Sequence, residues 1–145
     1  MIESLLKSST ILLLEKMAIF GERRQEVLAS NIANIDTPTY KTRDLPVEDF
    51  QQALKEAVSR NRALSTTSQF PASASTRIPD SELFPETLFQ AVEASPQNIT
   101  FQDGNNRSIE HEMMEMTKNT MMQNYAIDLM RAQMAMLQIA ISERF

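Results

Sequence analysis

Apolar residues near the start of the chain recur at helical spacing. Leu14, Met17, Leu28, Ile32 and Ile35 fall near one face, with Glu15, Glu22, Arg23 and Glu26 largely on the other. From about Ser4 to Asn34 the only helix-weakening residue is Gly21, which costs roughly 1 kcal/mol relative to alanine. A long amphipathic helix is predicted there. A second helix follows, with Asp44 placed to cap it, Pro46 suited to a first turn, and Glu48 and Asp49 complementing the dipole. Its apolar residues Phe50, Leu54 and Val58 repeat every fourth position up to about Arg62.

The middle has no such period. Seven of the thirteen residues from Ser65 to Arg77 are Ser or Thr, and Pro71 and Pro79 interrupt the rest. Pro85 and Pro96 flank its one apolar patch, "LFPETLFQAV". This composition buries little and predicts a soft segment. "NITFQDG" then reads as a short extended piece turning at Asp103 and Gly104.

From Ser108 to the end there is neither proline nor glycine. Ser108 is a good N-cap, with Glu110 and Glu112 in the first turn. Met122, Tyr125, Leu129, Ala132, Met136 and Ile139 alternate by three and four, a coiled-coil seam for helix packing. A second apolar line, Ala126, Met130, Leu137 and Ile141, runs beside it. Two lines imply more than one partner for this helix, or burial in a crowded assembly. Such a helix spans roughly 55 Å, whereas a compact chain of this size has a radius of gyration of about 15 Å. The predicted fold is therefore mainly α and elongated. Long helices stand at the N- and C-terminal ends, with a Ser/Thr/Pro-rich middle that has room for a little β. The expected organisation is 1–35 as an N-terminal helix, 36–62 as a turn with the second helix, 63–107 as the soft middle and 108–145 as the C-terminal helix.

Composition narrows the function. The chain has 145 residues, one domain's worth, with ten methionines, eight of them between Met113 and Met136. A methionine stripe is most often core filler, and otherwise an adaptable surface that repacks against several neighbours. A net charge of −5 gives no basic footprint for nucleic acid. With no cysteine, disulfides and thiolate metal sites are excluded. The apolar run Ile11 to Leu14 is too short for a cleaved export signal or a membrane span, so neither is expected. The single histidine, His111, shares a helix face with Glu115 at most, and two ligands do not make a zinc site. There is no phosphate loop and no nucleophile elbow. No catalytic, cofactor or metal site is expected, and no small-molecule substrate.

The most informative stretch is "NIANIDTPTYK", residues 31 to 41. Asn34 or Ile35 lies near the helix end, and Asn tolerates the left-handed conformation used in C-caps. Asp36 can form an Asx-turn, and Pro38 disfavours helix at Thr37, so the chain must turn out. The unit is a helix stop with polar side chains left over to pin the emerging chain.

"LASNIANIDTPTYKTRDL", with "ERRQEVLASN" before it, resembles the signature of the bacterial flagellar rod and hook proteins. "DGNN" and the helix opening "IEHEMMEMTKNTMMQNYAIDLM" are similar to that family too. The likeness covers both ends and weakens in the middle. Ser30 and Thr39 depart from it. Thr39 stands where the family usually has Gly after Pro38; since Thr resists positive φ, a type I or open turn is expected in place of type II.

The resemblance implies long N- and C-terminal helices that pair as a coiled coil lining a hollow axial rod, and unfolded export through the flagellar secretion channel. By length it implies a structural subunit of the proximal rod, in the periplasmic part of the flagellar basal body, needed for motility. Its partners would be other rod and basal body proteins, copies of itself and the export apparatus. Asn31, Ala33, Asn34, Thr37, Pro38, Tyr40 and Lys41 carry over as assembly residues, with Ile32 and Asp36 in the same stretch. The alternatives are another short rod protein of the family, or a soluble helical adaptor or chaperone that binds partner helices.

Overall fold

The computed structural model describes residues 9–66, 83–93 and 109–142. Three helices dominate: α1 (Ser9–Ala33), α2 (Val47–Thr66) and α3 (Ile109–Ser142). Strand β1 (Arg43–Asp44), a 3-10 helix (Glu86–Phe89) and strand β2 (Val92–Glu93) complete the described chain. The two strands pair antiparallel, Arg43 opposite Glu93 and Asp44 opposite Val92. The mainly helical prediction with a little β holds. The predicted softness of the Ser/Thr-rich run from Thr67, the "NITFQDG" turn and the Ser108 cap lie outside the described residues.

Helix α1 is central and has two different neighbours. On one side lies the apolar core: Phe20 from α1, Leu45, Phe50 and Ala57 around and along α2, and Phe84 and Leu88 beside the 3-10 helix. The Phe20 and Phe50 rings stack with centroids 3.9 Å apart and planes 11° from parallel. Phe89 meets both rings edge-on, at 6.3 Å and 6.2 Å. Such pairs add about 0.5–1.5 kcal/mol beyond the area they bury. The apolar patch of the middle thus docks its phenylalanines into this core. Pro85 starts the 3-10 turn, its carbonyl accepting from the Leu88 amide at 3.0 Å.

Two details of the second helix differ from the sequence reading. Val58 is exposed and Ala57 is buried in its place. A strict four-residue repeat drifts off a 3.6-residue face, so Phe50, Ala53, Leu54 and Ala57 keep the contact. Asp44 does not cap α2, which starts at Val47; its carboxylate faces α1 and accepts from the Arg24 guanidinium.

The other side of α1 packs along α3. Asn31 meets Glu112, Arg24 meets Glu115, and Gly21 and Gln25 meet Asn119. Numbers fall on one helix as they rise on the other, so the pair is antiparallel. The predicted pairing of terminal helices is present. On α3 the line that faces α1 runs through Glu112, Asn119 and Ala126, seven residues apart, all buried.

Candidate functional site

The helix stop is built around Asn31. The side chain is 1% exposed, among the largest fully buried in the molecule. Its amide nitrogen donates to the Arg43 carbonyl at 2.7 Å and to Glu112 Oε2 at 3.0 Å. Its amide oxygen accepts from the Arg43 backbone N–H at 3.1 Å and the Tyr40 hydroxyl at 3.2 Å. Two donors and two lone pairs are all an amide offers, so the hydrogen-bonding capacity of Asn31 is filled. One residue therefore ties α1 to the returning chain at β1 and to the start of α3.

Asn34 ends α1 differently from expectation. Among the described residues Thr39 is the one non-glycine with positive φ, so Asn34 is not left-handed. The Asn34 side chain bends back, Nδ2 donating to the Ser30 carbonyl at 2.9 Å, while its own carbonyl accepts from the Thr37 amide at 2.9 Å. This satisfies carbonyls that a helix end leaves open.

The turn at Thr37–Tyr40 also corrects the sequence reading. The Tyr40 amide donates to the Thr37 carbonyl at 3.3 Å, so the turn is closed. Thr39 takes φ 63° at its second central position, the requirement of a type II turn. A β-branched residue there is strained by about 1–3 kcal/mol. Pro38 sets the first central position and the Tyr40 hydroxyl is held by Asn31, so the surroundings impose the conformation on Thr39.

Beside the hub sits a charged cluster. The Arg24 guanidinium grips Asp44 through two bonds, 2.8 Å and 2.7 Å, and reaches Glu115 at 2.9 Å. Its side chain is only 9% exposed. Burial works against the charge on Arg24, but the bonds to Asp44 and Glu115 outweigh it and raise its pKa. Burial would also raise Glu115; bonds from Lys118 and Arg24 overcome this and hold its carboxyl below the usual range. Glu112 goes the other way. Burial pushes its carboxyl up, and the Asn31 amide only partly offsets that. Further along, Asn119 donates to the Gly21 carbonyl at 2.8 Å and to Gln25 Oε1 at 3.0 Å. A Cβ on Gly21 would lie 3.2 Å from Cβ of Gln123, so this glycine permits the close helix approach.

The remaining motif residues lie at the surface. Ala33, Asp36, Thr37, Pro38 and Lys41 are exposed, and Ile32, Asn34 and Tyr40 half-buried. Lys41 approaches Glu93 at 3.5 Å, an exposed pair of little energetic weight. Thr37, Pro38, Thr39, Tyr40, Lys41, Arg43 and Glu93 line an open groove of about 360 Å³. The α3 seam faces away from α1: Tyr125 is 63% exposed, Met136 66% and Ile139 58%. Leu129 and Ala132 are exposed too, and Met122 half-buried. The second line turns inward at Ala126, which is fully buried; Met130 and Leu137 are half-buried and Ile141 is exposed. Arg24, Asp44, Glu112, Glu115 and Asn119 were not among the residues expected to act. The signal that could have revealed them is the polar pair Glu112 and Asn119, seven apart in a helix of otherwise apolar lines. Among the described residues no group of three or more His, Asp or Glu could hold a metal ion, and no helix is long and apolar enough to cross a membrane.

A family model described as "Flagella basal body rod protein" matches residues 22–41, the last half of α1 through the Thr37–Tyr40 turn. The flagellar basal body rod protein FlgB of Escherichia coli is 31% identical over 111 residues, covering 77% of this chain and 77% of that protein. FlgB of Bacillus subtilis is 33% identical over 112 residues, with 77% of each chain covered. FlgB of Yersinia enterocolitica is 33% identical over 107 residues, 74% of this chain and 73% of that one. The chain belongs to the FlgB family of flagellar basal body rod proteins. As a FlgB-family member it is a structural subunit of the flagellar basal body, associated with other rod components. The family match begins and ends on the segment that carries Arg24, Asn31 and the turn.

Proposed function

We propose that this chain is a subunit of the proximal rod, in the periplasmic part of the basal body. It reaches that position through the flagellar export apparatus and adds to a hollow drive shaft through its helices. It performs no catalysis. The observation that carries this reading is the outward line of α3, where Tyr125, Leu129, Met136 and Ile139 stand exposed along one helix. An apolar stripe of this length is out of place on a surface meant for water, and a neighbouring helix would bury it. The exposed Asp36, Thr37, Pro38 and Lys41 offer a second, polar contact at the opposite end of α1 from its start. Asn31 and Tyr40 serve the assembly from inside, by holding that turn.

The test is removal of the gene from its own organism, with the cell envelope imaged by electron cryotomography. A membrane base ring without a rod, repaired by resupplying the protein, is the expected result. Tyr125→Ser, Leu129→Ser and Met136→Ser together should abolish the repair while leaving α1, α2 and the aromatic core folded. Rods that assemble normally without the protein would overturn the reading.

A further inference from the structure

Helix α3 carries two apolar lines, and the face it turns to α1 is polar over its first half. The line against α1 begins with Glu112, Glu115, Asn119 and Gln123 and turns apolar only from Ala126. About a third of a turn away runs the larger apolar line of Tyr125, Leu129 and Met136, left in solvent. Over that first half the contacts with α1 are hydrogen bonds and an ion pair rather than apolar burial. Something other than hydrophobic burial therefore decides which face docks.

We infer that the polar half of the α1–α3 contact selects the face: Asn31, Arg24 and Gln25 of α1, with Glu112, Glu115 and Asn119 of α3, fix the rotation and register of α3 and so keep its apolar line turned outward. Rotation would take Glu112 from the Asn31 amide, Glu115 from Arg24 and Asn119 from the Gly21 carbonyl. Asn31, Arg24, Glu112 and Asn119 are buried and Glu115 half-buried, and a buried donor or charge that loses its partner bears its full desolvation cost. A slide by one helical turn fails in the same way, and it also moves Gln123 off Gly21, the one place on α1 that lacks a Cβ. A polar residue within a helix seam is the best attested means of fixing register. The polar half gives the pair its specificity and the apolar half its adhesion. The inference concerns the isolated chain, so it stands or falls separately from assembly in the rod.

The chain has no cysteine, so single thiols report cleanly. Ala126→Cys and Met136→Cys are made separately, and their labelling rates by a thiol reagent compared. In the otherwise natural chain A126C should react at least about tenfold more slowly than M136C, because labelling waits on local opening. Adding Asn31→Leu with Glu112→Leu should collapse that ratio to within about threefold, or reverse it, with helix content by circular dichroism unchanged. A ratio still at tenfold or more in that background would overturn the inference. If those leucines lower helix content, Gln25→Leu with Asn119→Leu decides in their place, since it leaves the Asn31 hub intact. Collapse of the ratio there supports the selecting role, and an unchanged ratio sinks it.

Discussion

The two sides of α1 hold their neighbours by different means. Towards α2 and the 3-10 helix the contact is aromatic, with Phe20, Phe50, Phe84 and Phe89 in mutual contact. Towards α3 it is half polar, with a filled amide, a shared guanidinium and a glycine close approach. Aromatic packing is strong and tolerates small adjustments of angle. Hydrogen bonds between buried partners add little net energy but penalise every wrong alignment. One helix thus keeps strength on one side and specificity on the other.

The largest effect should come from the aromatic side. Phe50→Ala removes a ring with 0% exposure and should cost about 3–5 kcal/mol in urea unfolding. A loss under 1 kcal/mol would mean the stack is not the core. Arg24→Ala comes next. It takes the guanidinium from Asp44 and leaves Glu115 with Lys118 alone; these side chains are 29% and 18% exposed, and the loss should cost about 2–4 kcal/mol. Hydrogen exchange should show the opening first at the start of α3, whereas Phe50→Ala should open α2. If both variants open the same region, the two sides of α1 are not separable.

Gly21→Ala sharpens the contrast on α1 itself. Alanine normally gains about 1 kcal/mol in a helix, yet here its Cβ meets Gln123 at 3.2 Å. The thermal midpoint should therefore fall, and the combination with Gln123→Ala should recover only part of the loss, because alanine removes Cγ at 3.4 Å but keeps the Cβ at 3.2 Å. Thr39→Gly should raise stability by about 1 kcal/mol, because glycine takes the positive φ without strain. A decrease in thermal midpoint would show that the turn does not hold Thr39 left-handed.

The smallest effect concerns protons. Burial raises Glu112, so the folded chain binds that proton more tightly than the unfolded one. Glu112 therefore adds stability at low pH and loses it as pH rises through its raised pKa. Glu115 is the reverse: its lowered pKa contributes stability above the ordinary carboxyl range, which is lost on acidification. Glu112→Gln keeps the shape without the charge. It should match or exceed the natural chain by up to about 1 kcal/mol at neutral pH, and the gain should vanish below the ordinary carboxyl pKa. Thermal midpoints across that range measure it.

Several features were determined by sequence alone, each for a local reason. Unbroken runs of helix formers give α1 and α3, since helix hydrogen bonds lie within a few residues of one another. Pro38 keeps the first helix from running on past Thr37, by lacking a donor and constraining that residue. The family likeness rests on the same short stretch. Tertiary structure decided the rest. Helical period gave α3 two apolar lines and no means to rank them; the choice depends on Asn31, Arg24 and Gln25, between 81 and 94 residues away in sequence. By sequence Asp44 reads as a cap for α2, and only folding brings Arg24 to it. Thr39 was expected to refuse positive φ, as it would in a free peptide, but Pro38 on one side and the Asn31-held Tyr40 on the other leave it no other route. Local propensity sets which elements form. Which faces meet depends on partners that become neighbours only after the chain has folded.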